Sequence, residues 1–176
     1  MSVFFALGAG IIFLLISKSG LSPWWFLGAA VMIQARLLCN MMDGMVAIEG
    51  GRKSVTGDLF NEVPDRIADV IILAGLGLNT WQVPWGIHLG WLAAALAVFT
   101  ACVRMQGAGL TGRHEFCGPM AKPQRMALAT GACAIKAVFP AGFDWVFWAL
   151  TIMIAGEIIT LWRRLSRISK SLKEKP

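Results

Sequence analysis

Charged residues are scarce in this chain: Asp, Glu, Lys and Arg make up 15% of its 176 residues, against 57% hydrophobic ones. That supply cannot coat a soluble domain of this length, and with a mean hydropathy of +0.65 the solvent is lipid. Histidine is nearly missing, with two in the chain, and the four cysteines are dispersed. Cys39, Cys102 and Cys133 fall in or beside apolar stretches, where cysteine acts as a small buried hydrophobe. Cys117 follows His114 by three residues, yet no second pair stands at ligand spacing, which argues against zinc. His88 has no evident partner. No repeat period, low-complexity tract or linker divides the chain, so 1–176 reads as one domain.

What is present in abundance is apolar sequence. Runs of the order of the ~20 residues that cross a hydrocarbon core of about 30 Å occupy 2–17, 23–50, 57–78, 84–103, 119–139 and 143–162. The expected fold is therefore all-α, a bundle of six transmembrane helices, followed by a basic tail over 163–176, "RRLSRISKSLKEKP". The first run lacks a basic leader and a small-residue cleavage site, so it is expected to be a retained helix. An even number of spans puts both termini on one side. Arg52, Lys53, Arg104, Arg113, Lys122, Arg125 and the tail share that side, against Lys18 and Lys136 opposite, which makes it cytoplasmic by the positive-inside rule. The net charge of +6 is thus a topology signal that also attracts anionic membrane lipids. Basic residues scattered over membrane-surface loops are not expected to bind nucleic acid.

Against that background the stretch "NMMDGMVAIEGGRKSVTGDLFNEVPDRIAD", Asn40 to Asp69, is out of place. With about 1.5 Å of rise per residue, Asp43 lies about 29 Å from Trp24, at the cytoplasmic end of the second span. The third span returns to the same depth, bringing Asn61, Asp65 and Asp69 in at intervals of one turn. Asn40 and Asp43 share one helical face, and Asn61, Asp65 and Asp69 share another, so two polar faces can converge on one pocket. A carboxylate turned toward lipid costs at least roughly 2.5 kcal/mol. Oxygen donors so grouped suit a hard cation, magnesium or manganese. Read structurally, the same acids would sit at the headgroups, paired with Arg36 and Arg66. Gly44, Ala47 and Gly57 keep the facing surfaces free of bulk, and Pro64 should bend the third helix.

These residues resemble the signature of the integral-membrane CDP-alcohol phosphatidyltransferases, D-x2-D-G-x2-A-R-x8-G-x3-D-x3-D. Here it reads N-x2-D-G-x2-A-I-x8-G-x3-N-x3-D, with Asn40, Asp43, Gly44, Ala47, Ile48, Gly57, Asn61 and Asp65 in register. The loop "GPMAKPQR" is similar to the family's basic loop. The resemblance implies transfer of a phosphatidyl or related phosphoryl-alcohol group from a CDP-linked lipid to a small alcohol, with release of CMP. It implies Mg2+ or Mn2+ held by Asn40, Asp43, Asn61 and Asp65, with Asp65 also the catalytic base. Gly44, Ala47 and Gly57 would line the nucleotide slot, and Arg113, Lys122 and Arg125 would meet phosphates. Two motif aspartates are Asn40 and Asn61, and the motif arginine is Ile48. Two carboxylates and two amides suffice for one ion, whereas a second calls for Asp69 or Glu62. The family also implies a bacterial-type inner membrane and a homodimer, for which Gly86-x3-Gly90 offers an association surface. Two other classes fit parts of the pattern: a lapsed relative that binds a CDP-lipid or partner without turnover, and an ion or proton carrier built on Asp43, Asp65, Asp69 and Glu157.

Overall fold

The computed structural model describes residues 2–49, 57–80, 83–112 and 115–174, with the side chains of 43–49 and 57–61 outside the described residues. It is all-helical: α1 (Ser2–Ser19), α2 (Trp25–Glu49), α3 (Gly57–Gly77), α4 (Gly86–Thr111), α5 (Lys122–Val138) and α6 (Trp145–Lys173). Each helix packs on two neighbours, in the order α1, α2, α5, α6, α4, α3 and back to α1, while α3 also touches α6 across this ring. Large apolar side chains cover the outside, among them Phe4, Ile11, Val31, Trp91, Phe99, Ile152 and Ile158. In water such a surface would be an aggregation site; in lipid it is the solvated face. The inside holds Phe13, Ile72, Leu76, Met126, Leu150 and Met153 among many alanines.

Lipid provides little hydrophobic drive between helices, so close backbone approach matters more. Gly90 of α4 shows this: a Cβ there would lie 2.7 Å from the Leu73 carbonyl oxygen and 2.8 Å from the Gly77 Cα. A Cβ on Gly86 would run into the Thr80 side chain. The Gly86-x3-Gly90 spacing thus joins helices within the chain, α4 to α3 and the turn after it. At the opposite side of the ring Gln34 Nε2 donates to Thr130 Oγ1 at 2.8 Å, linking α2 to α5.

Among the described residues four helices are long and apolar enough to cross a membrane: α1, α2 over 25–42, α4 and α6. This is an integral membrane protein. The other two helices fall short for different reasons. The first half of α3 carries Asp58, Glu62, Asp65, Arg66 and Asp69, and α5 has 17 residues. α3 continues through Pro64 without a break. The ends of α4 and α6 differ from the sequence reading. α4 runs on to Thr111 and stops at Gly112, whose φ of 74° is the left-handed conformation that ends helices. α6 is capped by Asp144, which accepts from the Phe147 amide at 3.1 Å, and continues through the expected tail to Lys173. The tail is helical because its apolar side still has something to cover: Ile168 is buried against Gly107 of α4.

The segment before α5 is fastened to α6. Gly118, at φ 124°, lies against the Thr160 side chain with no room for a Cβ. Thr160 Oγ1 accepts from the Met120 amide at 3.0 Å and donates to the Gly156 carbonyl at 2.7 Å. This fixes where α5 starts, and hence where Lys122 and Arg125 emerge.

Gly90→Val should destabilise the fold by about 1–3 kcal/mol or more, because the added atoms meet backbone that cannot turn aside. Gly109→Ala, in open space on the same helix, should be neutral or stabilising by up to about 1 kcal/mol. Thermal unfolding of both variants in detergent checks the contrast in sign.

Candidate active site

Asp65 stands near the start of α3, and three side chains from two other helices meet its carboxylate. Oδ1 accepts from Asn40 Nδ2 at 2.8 Å and from Arg36 Nη2 at 3.4 Å. Oδ2 takes the Lys122 ammonium at the start of α5. Arg36 Nη2 also donates to the Asp65 carbonyl at 3.1 Å. The carboxylate is 19% exposed, enough to face a ligand. One turn further into the bundle Asp69 is fully buried between Arg36 and Arg125.

Beside Asp65 opens a cavity of about 280 Å³ whose wall includes Glu62, Asp65, Arg66, Arg104, Lys122, Arg125 and Arg164. Five cations face two carboxylates. Glu62 is shared between Arg66 and Arg104, the latter at 2.5 Å, and the Arg104 guanidinium lies over the Phe116 ring at 5.3 Å. Arg164 donates to the backbone carbonyls of Thr100 at 2.6 Å and Cys117 at 3.2 Å. Among the described residues it has no carboxylate partner. Such a surplus of donors in fixed geometry selects multiply charged oxyanions, phosphate above all.

No protein-family model matches the chain. It is 25% identical over 159 residues to the phosphatidylinositol phosphate synthase of Mycolicibacterium smegmatis, covering 84% of this chain and 67% of that one. It is 26% identical over 147 residues to the inner membrane protein YnbA of Escherichia coli, covering 82% and 69% respectively. The fold matches that of Mycobacterium tuberculosis phosphatidylinositol phosphate synthase, whose crystal structure is in complex with manganese and citrate. The TM-score is 0.75 over 96% of this chain and 80% of that one, at 14% identity. In sequence and in fold the chain is thus similar to phosphatidylinositol phosphate synthases.

Of the residues that the phosphatidyltransferase signature singles out, Asn40 and Asp65 are in contact, and Lys122 joins them. Arg125 lines the same cavity from one turn along α5. Gly44, Ala47 and Gly57 lie on described helix, but the side chains of Asp43, Ala47 and Asn61 fall outside the described residues, and so does Arg113 altogether. Asn40 turns its amide nitrogen to Asp65, where an aspartate, as in the family signature, would bring a second negative charge. Glu62 faces Arg66 and Arg104, and Asp69 faces Arg36 and Arg125, so both expected auxiliary ligands already have cationic partners. Arg36 serves the role expected of it, pairing with the acids of α3, whereas Arg66 pairs with Glu62.

Arg104 and Arg164 escaped the sequence reading, which took them for topology signals. Their neighbours held a clue: each sits on an apolar helix, in "VFTACVRMQ" and "ITLWRRLSR", where a cation needs a cavity or a counter-charge.

Asn40→Asp removes the donor to Asp65 and sets two carboxylates side by side. In metal-free buffer this variant should unfold at a lower temperature than wild type. Added Mn2+ should raise its unfolding temperature more than it raises that of wild type, by binding to the folded state. A thermal melt with and without Mn2+ reads both effects.

Proposed function

We propose that this protein transfers a phosphatidyl or related phosphoryl-alcohol group from a CDP-linked lipid to an acceptor hydroxyl in phospholipid synthesis, releasing CMP. The observation that carries this reading is Asp65, a partly exposed carboxylate opening onto a cavity lined by five basic side chains. In the reaction the acceptor oxygen bonds to the phosphorus on the lipid side of the diphosphate, and the bond from that phosphorus to the oxygen of CMP breaks. Asp65 takes the acceptor proton as the hydroxyl attacks. Lys122 and Arg125 stabilise the charge that builds on the phosphoryl oxygens and on departing CMP.

The donor set is tested by its chemistry. Among the described residues no three His, Cys, Asp or Glu side chains gather as a metal group. Asp65 and Asn40 nevertheless carry oxygen donors of the kind that hard divalent cations prefer, the Asn40 amide having to turn its oxygen, in place of the nitrogen now on Asp65, toward the ion. With Asp43 and Asn61 they would hold one Mg2+ or Mn2+, which supplies charge stabilisation to the diphosphate when bound. Two carboxylates do not support a second ion. Beyond the donor's needs, Arg66, Arg104 and Arg164 remain in the cavity wall, which favours an acceptor that carries a phosphate of its own.

In the same reading α3 and α5 also cross the membrane, because they close the ring between helices long enough to span it. The site end and both termini then face the cytoplasm from a bacterial inner membrane. A dimer contact would have to lie elsewhere than Gly86 and Gly90, which are used within the chain. The ion-carrier reading loses ground because Asp65, Asp69 and Glu157 each have a basic side chain paired with them. A carrier needs such groups free for its cargo.

Purified protein given CDP-diacylglycerol, a pool of alcohols and phosphorylated alcohols, and Mg2+ or Mn2+ should release CMP. Asp65→Ala should abolish the release, and chelation should stop it reversibly. Binding of CDP-diacylglycerol with no release at any metal concentration would instead mark a lapsed enzyme. Arg104→Ala and Arg164→Ala should each raise KM for a phosphorylated acceptor by about ten- to a hundredfold, the worth of one charge-assisted hydrogen bond. An unchanged KM would remove these arginines from the acceptor site.

A further inference from the structure

Running inward from the cavity wall to the middle of the ring lies a group of charges of which the transfer reaction as described uses only Arg125. Asp69, Arg36 and Glu157 are fully buried and Arg125 is 3% exposed. They come from α3, α2, α6 and α5, and they balance, two acids against two bases. Replacing such a buried set by apolar residues is commonly neutral or stabilising, so stability alone is a weak reason for it. Its geometry offers another. Asp69 Oδ1 pairs with Arg36 Nη2 at 2.7 Å, and Oδ2 accepts from Arg125 Nη2 at 3.1 Å. The same Arg36 nitrogen reaches up to the carbonyl and carboxylate of Asp65. Arg125 Nη1 in turn reaches Thr100 Oγ1 at 3.3 Å, and the residue forms part of the cavity wall. Glu157 meets Arg125 Nε at 3.5 Å from the far side.

We propose that Asp69 is the positioning residue of the transfer reaction, its two carboxylate oxygens setting Arg36 behind the base Asp65 and Arg125 in the phosphate-binding wall. The proposal rests on the transferase reading above. Asp69 is the one carboxylate among the described residues that holds both arginines. Without its charge the buried set has one cation in excess. Arg36 then turns wholly to Asp65, and Arg125 withdraws toward Glu157, its remaining acid. The base and the phosphate contact both lose their aim although neither residue has been altered.

The test compares wild type, Asp69→Asn, and the double variant Asp69→Leu with Arg36→Met. The double variant removes one acid and one base together and fills the space with apolar atoms. CMP release with CDP-diacylglycerol, Mn2+ and the pool of acceptors gives kcat and KM, and thermal unfolding is followed alongside. For Asp69→Asn, kcat should fall by about ten- to a hundredfold, as when an outer-shell partner is lost, with KM for the donor moving less than kcat. The double variant should unfold at or above the wild-type temperature and still turn over as slowly. If Asp69→Asn does not fold, the double variant carries the test. Wild-type kcat in either variant, or turnover that returns in step with stability, overturns the proposal and leaves Asp69 a structural residue. No CMP release from wild type under any of these conditions fails the transferase reading, and this inference with it.

Discussion

A guanidinium buried in a bundle that is itself surrounded by lipid has few affordable surroundings. Arg36 is fully buried on α2, and Arg is effectively always charged, so another helix of the ring must bring carboxylates to it. α3 brings two, Asp65 and Asp69, one turn apart on one face. Removing one partner of such a pair typically costs 3–5 kcal/mol, because the charge left behind is uncompensated. This tie sets the depth of α2 against α3, and most of the site follows from that depth. Asn40 is one turn beyond Arg36 and therefore level with Asp65, close enough to donate to it.

The remaining helices are placed by smaller contacts whose effect is to deliver cations to that same end. Gly77 and Gly90 let α3 and α4 approach until backbones touch, which carries Arg104 to the level of Glu62. Thr160, holding the Met120 amide and leaving room only for glycine at 118, starts α5 beside α6. Lys122 then falls at Asp65 and Arg125 at Asp69. Arg164 is anchored by carbonyls in the middle of α4 and in the loop before α5. Each contact is local, yet together they raise the positive potential of a cavity partly shielded from water, where charge acts over longer reach than at an open surface.

That potential gives the asparagine substitutions a physical setting. Two of the four motif positions carry amides, and of the two carboxylates Asp65 has a pair of cations, Lys122 and Arg36, against it. A diphosphate bearing several negative charges exchanges well with such a carboxylate, since it offers the same cations more oxygens. In the proposed reading the balance of charge in the cavity is therefore shifted toward the substrate.

Much of this was legible in the sequence. The apolar runs have the length of membrane helices, and lipid forces backbone hydrogen bonding into helices, so the all-α architecture followed from composition and periodicity. The spacing of Asn40, Asp43, Asn61 and Asp65 gave the expectation of polar faces at one depth, because helical pitch decides which residues share a face, and among the described side chains Asn40 and Asp65 do meet. The basic tail was legible as charge but not as helix, since that depends on Ile168 finding Gly107 on a helix sixty residues away in sequence. Which cation meets which acid was likewise beyond the sequence. Lys122 and Asp65 are 57 residues apart, and Arg164 reaches a carbonyl 64 residues away. The sequence by itself determined the apolar surroundings, the helices and the polar character of one end. Only the tertiary structure decided that Asp69 lies inside between two arginines while Asp65 opens outward, because one helical turn of depth separates burial from exposure and the ring of helices sets where that boundary falls.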